Sequence, residues 1–445
     1  MSVTVSYCSP NDIKDRLNEW HAENTKQHEL MRKSVQAHGI VQPPLVDSNM
    51  RSVCGGLVVK VARELGLNEI PYLRVDHMSD DELRLYSIRA TQIAKFADYD
   101  EEMLAVEIRE LQQLIEMPSF ADLGFEQGEM DRILKLTELD LGIDIDTAPE
   151  VEHRFTVTQP GDCWVMEGHR LLCGDALQSE NYDQLMSGKP ARFVLSDVPY
   201  NLDHSIISGN GRFKHDNFKM GSGEFSPNEF TRFLTKAMRN MAAHSMDGSL
   251  HALFMSYHYL LELLRAGTVV FGRPKAMCTW IKKQGGQGGI FRSQTEFIVY
   301  FKNGTAPYLN NVQLGRHGRN RTNAWFCDGM NTPSAERDEL LSEHPTPKPV
   351  QLLKDAILDV TNSGDIVLDP FAGIGSIILA AHACERRAFA MEIDPGYVDV
   401  SLRRVRKTLG IEPIRESDGM SFTDLENELL ATSRDAVFEG VDHGA

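Results

Sequence analysis

A chain of 445 residues, 42% hydrophobic and 25% charged, is globular in composition and long enough for two or three domains. Its seven cysteines lie far apart with no Cys-x-x-Cys pair, and no Cys/His cluster has zinc-ligand spacing, so free thiols and no bound metal are expected. No N-terminal apolar signal and no 18-residue apolar span occur, which sets aside export and membrane insertion, while a formal net charge of −18 runs against a nucleic-acid partner unless it is divided along the chain.

In chain order, Leu30 to Gly39 is helical in pattern, Val41 to Asp47 extended, Gly55 to Leu65 helical again and Ile70 to Val75 extended. This alternation predicts a small α/β domain over residues 1–97. From Asp98 to Glu150 there are 16 acidic residues and three basic ones, on a helical pattern such as Glu101 to Ile115. An acidic helical connector over 98–150 is expected, and like charge should keep it off a duplex. Gly142 to Pro160 reads as a linker into a larger domain over 151–412.

In that domain Ala191 to Ser196 reads as a buried strand, and Asp197-Val198-Pro199-Tyr200 follows it, where ligands bind in open α/β folds. The segment suits a particular chemistry. An exocyclic amine has its lone pair delocalised into the ring, so its attack on a methyl sulfonium needs acceptors for both amine hydrogens. Asp197 can take one and the Val198 carbonyl the other. Pro199 fixes the direction of that carbonyl, and Tyr200 offers a face on which an extruded base can stack.

Between His204 and Met330, 16 Lys plus Arg stand against 7 Asp plus Glu, an excess of +9 that leaves −27 for the rest (−18 minus 9). Arg212 and Lys214, Lys282 and Lys283 beside a Gly-rich run, and Arg316, Arg319 and Arg321 form three basic, turn-rich clusters suited to phosphates and base edges. A basic target-recognition region over about 204–330 and a double-stranded DNA partner are the expectation. Ser226-Pro227-Asn228-Glu229 carries the cap, proline and capping-box acid of a helix running to about His244. Strands are predicted at Leu250 to Met255, Ala276 to Ile281 and Thr295 to Phe301.

Further on, Ile366-Val367-Leu368 is a buried strand that turns into a helix through Asp369-Pro370-Phe371-Ala372-Gly373-Ile374-Gly375-Ser376. Two glycines one residue apart let backbone approach a ligand, and the helix start presents free N–H groups. The next strand, Ala388 to Met391, ends in Glu392, at the spacing from which an acid reaches ribose hydroxyls. No third glycine follows for a pyrophosphate, so an adenosine cofactor without phosphates, S-adenosylmethionine, fits best. Beyond this a C-terminal helix and acidic tail are expected over 413–445, disordered after about Arg434.

Four segments in this order resemble the amino-methyltransferase family acting on DNA, over about residues 155 to 410. They are Leu172-Cys173-Gly174-Asp175-Ala176, the Asp197 segment, His344-Pro345-Thr346-Pro347-Lys348-Pro349 and the Asp369 segment. With the amine motif first and the cofactor motif last, the order is that of the family's β group. The resemblance implies a Rossmann-like α/β domain and a cytoplasmic, nucleoid-associated enzyme of bacterial or phage origin, in a group whose members often pair as homodimers. It also implies a cofactor site of Asp175, Thr346, Lys348, Asp369, Phe371, Ala372, Gly373, Gly375, Ser376 and Glu392. Val198 stands where the family has its first proline, and Ser376 where it has threonine; each keeps the chemical group concerned. The Asp form of the amine motif is associated in the family with adenine N6. Cytosine N4, by the same chemistry, and a non-catalytic DNA adaptor with a decayed site are the competing readings. Residues from about Ser6 to Ala97 resemble the ParB N-terminal-like fold, in which a Gly-x-His-Arg loop is usual. Cys54-Gly55-Gly56-Leu57 lacks both His and Arg, which points to an accessory DNA- or partner-contacting module or to structural support.

Overall fold

The structure, a computed structural model, describes residues 4–15, 24–95, 100–115, 119–134, 156–202, 223–285, 290–312, 321–327 and 348–439. The chain divides into two compact units, Met1–Leu134 and Lys135–Ala445.

The first unit contains β1 (Val5–Cys8), α1 (Thr25–His38), β2 (Leu45–Val46), β3 (Ser52–Cys54), α2 (Gly56–Glu64), β4 (Ile70–Arg74), α3 (Asp80–Lys95), α4 (Glu101–Leu114) and α5 (Gln127–Ile133). Its sheet has the order β1-β4-β2-β3. Helix α2 is amphipathic and buries Val58, Val59, Val61 and Ala62, while Ile13, Val46 and Ile70 complete the small core. The chain enters α2 through Gly55 at φ 79°, where a Cβ would stand 3.0 Å from the Cα of Pro44. Only glycine fits such an approach in the left-handed region. The acidic stretch expected as a separate connector belongs to this unit as far as Leu134. The physical reason is local: Lys33 of α1 pairs with Asp122 at 2.5 Å, and Gly124 packs on Leu30.

The second unit contains β5 (Cys163–Met166), β6 (His169–Cys173), α6 (Ser179–Met186), β7 (Ala191–Ser196), α7 (Pro227–Ala243), β8 (Ser245–Met255), α8 (Leu260–Phe271), β9 (Ala276–Ile281), β10 (Thr295–Lys302) and β11 (Ala324–Phe326). After these come α9 (Val350–Val360), β12 (Ile366–Asp369), α10 (Ser376–His382), β13 (Arg387–Glu392), α11 (Pro395–Leu409), β14 (Ile414–Arg415) and α12 (Phe422–Glu439). One ten-stranded sheet runs β11-β9-β10-β8-β7-β12-β13-β6-β5-β14. Neighbours among β8, β7, β12, β13 and β6 are parallel, and β10 returns antiparallel on β8. The carboxyl ends of the five parallel strands and the start of β10 therefore share one edge.

The central strands are buried on both faces, as parallel strands between helices must be. Helix α7 starts at the predicted capping box, with Ser226 and Glu229 exchanging bonds, and lays Phe230, Phe233, Leu234, Ala237, Met238 and Met241 on the sheet. Asp399, buried in α11, accepts from the backbone N–H of Val157 and Thr158 and fastens the start of the domain.

Helix α12 continues to Glu439, past the point near Arg434 where disorder was expected. Its first turn is packed: Phe422 is fully buried, edge-on to Trp164 at 5.4 Å and beneath Arg403 and Arg406. Once a turn is anchored, propagation needs one bond per residue, and no Gly or Pro intervenes before Gly440.

Candidate active site

Two loops meet at the carboxyl edge of the sheet. β7 delivers Asp197, and β12, hydrogen-bonded beside it with Leu368 opposite Val194, ends at Asp369. The Ser196 hydroxyl donates to Asp369 Oδ1 at 2.7 Å, tying together residues 173 positions apart. Phe371 N–H donates to the same oxygen at 3.1 Å, which folds the loop after β12 back on its strand. Burial pushes the Asp369 carboxyl up to about 7, although the Ser196 hydroxyl and Phe371 N–H pull the other way.

The loop from Phe371 to Ser376 wraps around the end of β13. Ala372 N–H reaches Met391 O at 2.9 Å, and Gly373 N–H donates to Glu392 Oε2 at 2.9 Å. Glu392 Oε1 accepts from Asp394 N–H at 2.9 Å. Burial raises this carboxyl to about 7 against those two N–H bonds. Each oxygen still has a lone pair to offer, so the carboxylate can accept hydroxyl groups without giving up its backbone partners. Gly375 has φ 74°, and a Cβ there would come within 2.9 Å of Ser401. That close approach leaves no room for a side chain at this position of the loop.

Asp175 lies at the end of the neighbouring strand β6, where Gly174 N–H donates to Glu392 O at 2.9 Å. Asp175 Oδ1 accepts from Leu177 N–H at 2.8 Å. Ser376 is turned inward: its hydroxyl accepts from Arg404, a buried guanidinium that also holds the carbonyl of Ile374. The phenyl ring of Phe371 packs against the core beside Phe233, 6.1 Å between centroids.

On the amine side, Val198 is buried in the core and Tyr200 is half-buried. Asn201, at φ 53° and buried, pins the chain beyond: its side chain accepts from Gly223 N–H and Phe225 N–H and donates to Phe225 O. Lys348 Nζ stands 2.5 Å from Asp197 Oδ2 and 3.4 Å from Glu296 Oε2. Glu296 also accepts from the Tyr200 hydroxyl at 2.8 Å and from Lys282 at 2.5 Å. Lys348 lies over the rings of Tyr200 and Phe254, 5.2 and 5.4 Å from their centroids. Asp197 Oδ1 is buried and has no hydrogen-bond partner among the described residues. An unpartnered carboxylate oxygen in a dry site is costly unless a ligand supplies the donor.

The charges follow from this arrangement. Burial raises the Asp197 carboxyl, Lys348 opposes the shift and Glu296 adds to it. Burial would also raise Glu296, but Lys348 and Lys282 hold it down to about 2. Lys348 is pulled down by burial yet held above its ordinary value by the two carboxylates.

The structure thus brings Asp197, Val198, Pro199 and Tyr200 next to Asp369 through the adjacency of β7 and β12, and Asp175 next to Glu392 through that of β6 and β13. Lys348, expected on the cofactor, stands against Asp197 and Glu296. Thr346, Arg212, Lys214, Arg316 and Arg319 lie outside the described residues. Of the remaining basic residues expected on DNA, Lys283 is exposed. Lys282 is committed to Glu296, and Arg321 to Asp355 and Asp359 beneath the ring of Trp325. Two carboxylates and an aromatic face hold Arg321 within the fold, in place of the phosphate contact expected of it, and leave its buried Nη2 without a hydrogen-bond partner among the described residues. Glu296 was missed, although a lone acid opening the apolar strand Thr295 to Phe301 was a usable signal.

Residues 191–403 match the family described as DNA methylase, N6/N4 type. Among known proteins, the chain is 37% identical over 113 residues to DNA adenine methyltransferase YhdJ of Escherichia coli (strain K12), covering 25% of this chain and 35% of that protein. It is 23% identical over 277 residues to Type II methyltransferase M.HpaI of Haemophilus parainfluenzae, covering 59% of this chain and 82% of that protein. The chain therefore spans about a third of the first relative's length and about four-fifths of the second's. A looser likeness, at a TM-score of 0.26 and 15% identity, links 30% of this chain to 78% of the truncated chromosome-partitioning protein ParB from Caulobacter crescentus. Over residues 191–403, which hold both loops of the site, the chain is thus similar to the N6/N4 DNA methylase family.

Proposed function

We propose that this protein methylates the exocyclic N6 amine of adenine in double-stranded DNA, with S-adenosylmethionine as the donor. The reading is carried by Asp197 Oδ1, a buried acceptor without a donor among the described residues, set beside a loop whose Gly375 admits no side chain. The cofactor supplies an electrophilic methyl group on a sulfonium. Glu392 would hold the ribose hydroxyls, Asp175 and Phe371 the adenine, and the backbone of Ala372 to Gly375 the remainder.

The target base has to leave the duplex to reach this edge, and Tyr200 gives its ring a stacking face. One amine hydrogen then meets Asp197 Oδ1 and the other the Val198 carbonyl. Both acceptors draw the nitrogen towards tetrahedral geometry, which takes its lone pair out of conjugation with the ring, and holding amine and methyl in line contributes most of the rate. After transfer the nitrogen carries a surplus proton, which passes to Asp197, whose upward-shifted carboxyl is suited to take it. Adenine is favoured by the Asp form of the motif and by the similarity to YhdJ of Escherichia coli, a DNA adenine methyltransferase.

Nucleoside mass spectrometry of unmethylated DNA incubated with protein and S-adenosylmethionine tests the reading. N6-methyladenine is the expected product. N4-methylcytosine would retain the mechanism and change the base, whereas unmodified DNA across varied sequences would leave a DNA-binding adaptor.

Cofactor binding should depend on pH through Glu392. Its carboxyl is held at about 7, and only the ionised form presents all its acceptors to the ribose. Affinity should therefore strengthen as pH rises through about 7 and level off above it, as read by calorimetric titration. Glu392→Gln should flatten that dependence and weaken binding roughly tenfold or more, the scale of a lost charge-assisted bond.

A further inference from the structure

Resting on the proposed amine chemistry, we infer that Glu296 and Lys348 are positioning residues for the methyl-accepting base. Lys348 occupies Asp197 Oδ2 so that Oδ1 alone faces the amine, and Glu296 fixes both Lys348 and the Tyr200 ring. The geometry supports each part. A single ammonium bridges two carboxylates at 2.5 and 3.4 Å, and the second carboxylate takes the hydroxyl of the stacking tyrosine at 2.8 Å. Lys348 lies over the aromatic faces of Tyr200 and Phe254, and both groups are buried, with side chains 5% exposed for Lys348 and 12% for Glu296. Burial on this scale would be costly for unpaired charges, so the pair acts as one unit.

Glu296 comes from β10, three strands along from β12, and its place at the edge is set by the antiparallel register of Phe297 on Met255. An acid in this position does nothing for the sheet itself, because its partners are Tyr200, Lys282 and Lys348. The residue serves the loop after β7.

The arrangement has an electrostatic signature. The charged and titratable groups facing Asp197 are Lys348 from the segment before α9, Glu296 from β10, Tyr200 on its own loop and Asp369 from β12, with Lys282 of the β9 end acting through Glu296. Lys348 favours the ionised carboxylate that accepts the amine hydrogen, and Glu296 opposes it. Removing one or the other should therefore move the acid limb of methyl transfer in opposite directions. A residue with a merely structural role would shift neither limb.

The test is single-turnover methylation of unmethylated duplex DNA by the full chain, followed from acid to neutral pH. In Glu296→Gln the acid limb should move down by about one pH unit, the size of a close like-charge effect. Its plateau rate should also fall about tenfold, as Tyr200 loses an ionised acceptor, while the KM for DNA stays within about threefold. In Lys348→Met the limb should move up by about one unit or more. Glu296→Asp should restore most of the plateau. Each variant is compared with wild type separately, and Lys282→Met, at a less buried position, gives a smaller downward shift, by letting Glu296 take up a proton, should the buried variants fail to fold. Limbs that stay put or move together while wild type turns over would overturn this inference and spare the proposed function. A wild type that methylates no DNA overturns both.

Discussion

Asp197→Ala should stop methyl transfer while the protein still folds and binds S-adenosylmethionine. Loss of one preorganised partner for a developing charge costs about 10²–10³ in rate, and loss of a general base a comparable factor. Since Asp197 provides both, a fall of at least about 10³-fold is expected in single-turnover assays. Stability should change little, because Lys348 keeps Glu296 as a counter-ion and the unpartnered Oδ1 disappears with the side chain. Asp197→Asn should lose less, as its amide oxygen can still accept one hydrogen but cannot take the proton. Cofactor affinity, measured by calorimetry, is the control that separates lost chemistry from lost structure.

The largest stability effect should come from a methyl group far from the chemistry. Gly267 of α8 lies against the ring of Phe301 on β10, and a Cβ there would stand 2.1 Å from Cζ and 2.4 Å from Cε1. Helix propensity favours alanine over glycine by about 1 kcal/mol. Overpacking a tight core costs about 1–3 kcal/mol and sometimes more, and here three ring atoms of a fully buried phenyl would have to move. The clash wins, so Gly267→Ala should lower the thermal midpoint by several degrees, about 2–4 °C for each kcal/mol in a unit of this size. Adding Phe301→Leu should recover part of the loss, and that coupling is the sign that the two side chains compete for one space. Strand β10 also carries Glu296, so activity should fall with the packing.

The fold was legible wherever one segment carried its own signal. The strands Ala191 to Ser196 and Ala276 to Ile281 occupy the residues their apolar patterns indicated, and α7 begins at its capping box. Asp197 and Glu392 could be placed because a strand end and a spacing announce them. What the sequence concealed was adjacency. Nothing near Glu296 says that β10, two strands along from β7, will bring it to the Tyr200 hydroxyl, and nothing near Lys348 reveals which carboxylate it meets. Basic residues were the least legible group. Arg321 and Lys282 read as solvent-facing cations, yet each is balanced by carboxylates supplied from other elements. A sign excess counts charges, whereas burial and pairing decide where they act. The end of the acidic stretch was misjudged for the same reason, since the contact between Lys33 and Asp122 spans 89 residues.

The seam between β7 and β12, closed by the Ser196 hydroxyl on Asp369, separates gene order from chemistry. Everything translated between the two strands is an excursion that departs from this seam and comes back to it. A gene opened within the excursion and rejoined elsewhere would reverse which loop emerges first from the ribosome, and the same two strand ends would still finish side by side. The excursion can likewise lengthen or be exchanged to read other targets, provided that β10 and the segment before α9 still return Glu296 and Lys348 to the seam.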